Sequence, residues 1–145
     1  MRRWVLALAL VLLTPAASQA ARDSDALVQF GLIGNWAFDC KKPPSPANPF
    51  VNFPPSSAGQ PLRQLVTGKP QYDSLVPIHD VAMLDANYLR LSYPQGRVTI
   101  TVTLLKEQNR IRPYEAMASD GTVSVSGGIA KATGRPTGWL LKCAD

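Results

Sequence analysis

A single histidine and two cysteines among 145 residues leave little material for a reactive centre. Zinc sites draw on several His and Cys side chains, and nucleophilic triads need a His oriented by a carboxylate. With His79 alone and the cysteines far apart at 40 and 143, most metal sites and familiar triads are excluded by inventory. Charge is sparse as well: 17% of residues are charged against 46% hydrophobic, which describes a globular domain rather than a disordered chain. A polybasic tract is missing too. Apart from Arg2-Arg3, Lys41-Lys42 is the one adjacent basic pair, so the formal charge of +5 belongs to a solvated surface and offers no footprint for nucleic acid. Beyond residue 61 no apolar 3.6-residue period persists for three turns, and the domain reads as mostly β.

What is present begins with an address. Arg2 and Arg3 precede the ten-residue apolar run Trp4 to Leu13, Thr14-Pro15 breaks it, and the small residues Ala16, Ala17, Ser18 and Ala20 follow. This order defines a secretory signal peptide. A membrane span needs about 20 apolar residues, and Pro15 ends the run too early for one. Ser18 and Ala20 place the cut before Ala21, giving residues 1–20 as the signal peptide and 21–145 as a single β domain. Losing Arg2 and Arg3 lowers the net charge from +5 to +3. No Cys stands near the cut to take a lipid. The expected location is periplasmic or secreted, with no stable membrane insertion after cleavage.

An exported chain with two cysteines oxidises them to each other as a rule, so Cys40 and Cys143 are expected to form a disulfide that staples the two ends of the domain. A redox pair would need the Cys-x-x-Cys spacing, which is absent.

Ala21 to Gln29 reads as a short helix or a frayed leader. In the segment that follows, Leu32, Trp36, Phe38 and Cys40 share one face at period two, which marks a first strand. From Pro43 to Pro61 seven of nineteen residues are proline, and the segment reads as a stiff loop rather than a strand or helix. Weak strands follow at Leu62 to Thr67 and at Leu75 to Leu84, the second interrupted by Pro77. Tyr88 to Tyr93 and Val98 to Leu104 form a hairpin across Pro94-Gln95-Gly96. Glu107 to Asn109 turns the chain into Arg110 to Ala118, and Asp120-Gly121 leads to Thr122 to Ser126. In Thr137 to Cys143, Trp139 and Leu141 stand in phase with Cys143. About eight strands at this spacing predict an all-β fold, a small antiparallel meander barrel with Trp36 and Trp139 in its core.

Gly34-Asn35-Trp36 on the first strand, with the meander and the late Cys, resembles the lipocalin-like (calycin) pattern. Together Trp36 to Cys40, the proline loop, Lys106 to Arg112, Asp120-Gly121 and Trp139 to Cys143 also resemble a group of small exported bacterial proteins of no assigned activity. That resemblance implies export and names no reaction.

Catalytic patterns are weak throughout. His79 and Asp80 are adjacent, and on an extended strand they face opposite ways. Ser124 and Ser126 lack a nucleophile elbow, Glu107 and Glu115 have no spacing that implies a glycosidase pair, and Gly127-Gly128 lacks the rest of a phosphate loop. No catalytic residue, metal or cofactor is therefore assigned. Two surfaces carry binding potential. Arg110, Arg112 and Tyr114 share a strand face as a cationic stripe with an aromatic end, either a solvated hairpin face or a site for an anion or acidic partner. Phe50 and Phe53 in the stiffened loop either form a contact surface or cap the barrel. The expected function is that of a non-enzymatic exported envelope binding module for a small ligand or a protein. The alternative is an inhibitor of a secreted hydrolase, a lysozyme or protease, that uses the proline loop with Arg110 or Arg112. A hollow interior favours the ligand version.

Overall fold

Alternation at period two dominates the sequence after residue 30, and the backbone follows it. The computed structural model describes residues 16–56 and 59–144. Most of the expected signal peptide, residues 1–15, lies outside them, and residues 16–20 open a helix, α1 (Ala16–Phe30), that runs through the expected cut. Then come β1 (Gly34–Ala37), β2 (Phe50–Phe53), β3 (Leu62–Val66), β4 (Ser74–Pro77), β5 (His79–Met83), β6 (Tyr88–Gln95) and β7 (Val98–Glu107). The chain continues through β8 (Arg110–Ala118), β9 (Val123–Ser126), β10 (Ile129–Ala130), β11 (Arg135–Pro136) and β12 (Leu140–Lys142).

These twelve strands form one antiparallel sheet that curls into a nearly closed barrel. The meander runs β1-β2-β3-β4, crosses at Ile78, and continues β5-β6-β7-β8; β12 returns between β8 and β1. Taking β4 and β5 as one stave broken at Ile78, the barrel has eight staves. Pro77 cannot donate to a ladder, so the chain changes edge there. The Ile78 peptide instead bonds the segment that leads into β3, its N–H donating to the Pro61 carbonyl at 2.8 Å and its carbonyl accepting from Gln60 Nε2 at 2.6 Å. One consequence is an incomplete seam: β4 pairs with β3 alone and β5 with β6 alone, so β4 lies beside β6 without a ladder between them. The short β9, β10 and β11 ladder extends the sheet from the C-terminal half of β8, whose N-terminal half pairs with β12.

The core comprises Trp36, Val51, Phe53, Leu89, Leu91, Val102, Leu104, Ile111, Ala116 and Val125 from the strands, Ile78 from the crossing, and Leu27, Phe30 and Leu32 from α1 and its exit. Each of the Val, Leu, Ile and Phe side chains among them contributes about 1.5–3 kcal/mol on burial, and Ala116 less. Parity changes along β8 because a bulge intervenes: Thr103 faces Glu115 but Leu104 faces Pro113, so Ile111, Pro113 and Ala116 all reach the interior side. Helix α1 ends in a Schellman motif, with Gly31 N–H donating to Val28 O and Leu32 N–H to Leu27 O, both at 2.9 Å, around Gly31 at φ +78°. Lys106 from β7 donates to the Phe30 carbonyl and Lys142 from β12 to that of Gly31, placing two cations on the negative end of the helix.

Cys40 and Cys143 are bonded, with Cα atoms 5.4 Å apart, just beyond the paired strands β1 and β12. Among the described residues no helix is long and apolar enough to cross a membrane, a statement about helices alone.

Three local expectations change. The proline-rich segment 43–61 is not loop throughout, because the proline-free Phe50-Val51-Asn52-Phe53 alternates and forms β2 between β1 and β3. Trp139 is not in the core: on β12 it is Leu140 that turns inward, leaving Trp139 half-exposed and Leu141 45% exposed. Phe38 also leaves the inner face, since β1 ends at Ala37 and the chain turns at Asp39; Phe38 is 44% exposed and packs on Gly138.

Candidate functional site

The barrel is not filled to its centre. Trp36, fully buried with its indole N–H donating to the Leu32 carbonyl at 2.8 Å, and the α1 side chains Leu27 and Phe30 are packed into the core. Elsewhere in the interior a cavity of about 120 Å³ remains. Its walls are Val51 and Phe53 of β2, Leu91 of β6, Val102 and Leu104 of β7, Ile111 and Pro113 of β8, and Leu140 of β12. Two polar residues join this apolar lining, Arg63 of β3 and Tyr93 of β6.

Register explains their presence. Arg63 pairs with Val76 and stands two residues before Leu65, on the inward side of β3, while Asn52 and Gln64 on the other side bond each other at 3.2 Å. Tyr93 continues the inward series Leu89, Leu91. The Arg63 guanidinium lies 4.4 Å from the Tyr93 ring centroid, a cation–π contact that bridges the β4/β6 seam. Outside the pair, a groove of about 390 Å³ is lined by both residues together with Gln71 and Asp73 of the β3–β4 connection, Ser74 at the start of β4, Pro94 and Gln95 at the end of β6 and Gly96 beyond it. Arg63 and Tyr93 therefore stand between an apolar chamber and a polar vestibule.

The residues singled out from sequence are distributed differently. Phe53 is 3% exposed and lines the chamber, and Phe50 is half-buried in the ladder opposite Val66, so neither projects from a loop. Arg110, Arg112 and Tyr114 do share the outer face of β8, and Trp139 joins them. Arg110 and Arg112 hold their guanidinium carbons 4.3 and 4.6 Å from the Trp139 ring centroid, and Tyr114 meets Tyr88 edge-on at 5.2 Å. Gly128 leaves the room Arg112 occupies, since a Cβ there would lie 3.4 Å from the guanidinium. Arg112 Nε is buried without a hydrogen-bond partner. Desolvation raises the Tyr88 hydroxyl above its ordinary value of 10.0, with Tyr114 and Asp85 adding to the rise and Arg112 opposing it.

Carboxylates are engaged structurally. Glu107 pairs with Arg110 at 2.6 Å and Glu115 accepts the Gly127 N–H at 2.7 Å. His79 and Asp80 do not follow regular strand alternation, because Asp80 takes φ +53° where the β5–β6 register shifts. Both are exposed and line a shallow depression beside α1 with Asp23 and Gln60. Among the described residues no group of three or more His, Cys, Asp and Glu is placed to hold a metal ion.

Sequence reasoning missed Arg63 because Leu62-Arg63-Gln64-Leu65-Val66 shows no clean alternation. The available signal was that Arg63 is in phase with Leu65, so a strand that buries Leu65 must turn Arg63 inward. Compared with protein-family models, with curated proteins and with solved structures, the chain matches none.

Proposed function

We propose that this protein is an exported, non-enzymatic binding module that holds a small, largely apolar ligand in the barrel chamber. The chamber itself carries the reading. An engineered apolar cavity of about 150 Å³ stays dry and takes up benzene, and a chamber of about 120 Å³ with comparable walls suits an occupant of similar size. This is smaller than a typical drug-sized pocket and points to a compact ligand. The disulfide and the signal-like first twenty residues support an oxidising, periplasmic or secreted setting.

The test is a thermal-unfolding titration with benzene and 1-hexanol. Binding to the folded state raises the midpoint with ligand concentration. Leu104→Phe, which fills the chamber, is expected to abolish that rise. Midpoints that never move with either ligand would remove the reading.

One observation favours a second reading, inhibition of a secreted hydrolase. Trp, Tyr and Arg are the side chains that dominate protein contact sites, and Trp139, Tyr114, Arg110 and Arg112 are clustered on one outer face. The proline segment no longer contributes aromatic anchors to it. Capture of a hydrolase that is lost in Arg110→Ala/Arg112→Ala but kept in Leu104→Phe would favour this alternative.

A further inference from the structure

We infer that the ligand of the chamber is a monocarboxylate with a short apolar group, its carboxylate bound by Arg63. This rests on the chamber reading and adds the chemical class. Arg63 faces the interior side of β3, yet among the described residues its guanidinium has no ion pair and no hydrogen bond, and the Tyr93 face 4.4 Å away is its contact. A guanidinium carries five N–H donors in its plane, and stacking on a ring leaves those edges free. A carboxylate matches that planar fork with two parallel hydrogen bonds.

The surroundings narrow the class further. A cationic head would be repelled by Arg63, and a neutral one would leave its charge unanswered. A dianion or a second carboxylate would meet Asp73, which lines the same vestibule and is held there by accepting from the Thr67 N–H at 2.6 Å and the Thr67 hydroxyl at 2.8 Å. One negative charge at the chamber mouth fits both residues. The walls beyond Arg63 are aliphatic and aromatic, and the volume of about 120 Å³ suits roughly five non-hydrogen atoms, by comparison with benzene in about 150 Å³. Short alkanoates and simple aryl carboxylates have this form. Access requires no ladder to break, because the β4/β6 seam beside Arg63 and Tyr93 carries no backbone pairing.

The experiment is calorimetric titration of the protein with hexanoate, 1-hexanol and hexylamine, six-carbon chains that differ at the head; the alcohol and the amine carry one more methylene outside the head group than hexanoate, so apolar burial alone would favour them. Hexanoate is expected to bind roughly ten- to a hundredfold tighter than hexanol, the range of a charge-assisted contact. In Arg63→Met that preference should vanish while hexanol affinity stays within about threefold, and in Arg112→Met, on the outer face, it should persist. If the native protein binds hexanol as tightly as hexanoate, the chamber reading stands and the Arg63 assignment falls. A preference that survives Arg63→Met overturns the assignment equally. Should Arg63→Met not fold, Arg63→Gln replaces it, and the hexanoate-to-hexanol ratio in the native protein remains decisive. No binding of any of the three overturns both the class and the chamber reading.

Discussion

Asn48 shows how much of the proline-rich segment depends on one side chain. Its Oδ1 accepts the Asp39 N–H at 2.9 Å, and its Nδ2 donates toward the carbonyls of Asp39, Lys42 and Pro43 at 3.0, 3.4 and 3.4 Å. The residue is 7% exposed, so removing the amide strands carbonyls and an N–H away from water. Asn48→Ala is expected to cost about 1–3 kcal/mol in urea unfolding. Asn48→Asp, nearly the same shape, should cost at least as much, because an acceptor then faces three carbonyl oxygens. The neighbouring Asp39 carboxyl is held below its ordinary value of 3.8 by the Lys41 N–H and by Lys42. A lowered folded pKa gives stability that is present above the unfolded value and lost as pH falls through the folded one. Asp39→Asn should therefore flatten the acid side of the stability profile and leave its alkaline side unchanged. None of this turn was legible beforehand: prolines announced a stiff segment but not which side chain would organise it. The outer stripe of Arg110, Arg112 and Tyr114 was legible because period two alone places them together, whereas Trp139 was assigned to the wrong side by taking the face in phase with Leu141 and Cys143 as the inward one.

At the scale of elements, helix α1 is built into the core on one side and held by ionic caps on the other. Phe30 is 1% exposed, and Phe30→Ala is expected to destabilise the protein by about 3–5 kcal/mol, measured by chemical denaturation. The β3–β4 turn is constrained more sharply. Gly68 takes φ +69°, and a Cβ there would stand 2.7 Å from the Pro44 carbonyl oxygen, whereas Gly121, at φ +90°, faces open space. Both Ala substitutions meet the left-handed penalty of about 1–2 kcal/mol. Gly68→Ala should be clearly the worse of the two in the same unfolding assay, since backbone must also move. Most strands after residue 61 were readable because one face is buried and the other is wet, which writes alternation into the sequence. β2 was hidden by its flanking prolines, and the bulge in β8 by the absence of any residue signature at Tyr114.

For the whole molecule, closure depends on two joins of different strength. β1 and β12 meet in a ladder that the Cys40–Cys143 bond secures over a separation of 103 residues. In the chain-entropy account a loop of that length is worth about 4–5 kcal/mol, so reduction should lower the thermal midpoint well beyond what either Asn48→Asp or Gly121→Ala does. Equal midpoints for oxidised and reduced protein would show that the bond adds nothing to the barrel. The other join, between β4 and β6, has side chains in place of a ladder, and Arg63 on Tyr93 spans it. An antiparallel barrel was foreseeable from strand spacing, although twelve strands form where about eight were expected; the unpaired seam was not, because it depends on where a chain crossing at Ile78 exchanges one neighbour for the other.

The most direct measurement is an NMR titration of the protein with hexanoate that follows both methyl and aromatic side-chain resonances. The account predicts that the methyl resonances of Val51, Leu91, Val102, Leu104, Ile111 and Leu140, which wall the chamber, move together and saturate, with intermolecular contacts from the alkyl chain to them. It is contradicted if those methyls stay fixed, whether nothing moves at all or the changes gather instead on Trp139 and Tyr114 at the outer face of β8.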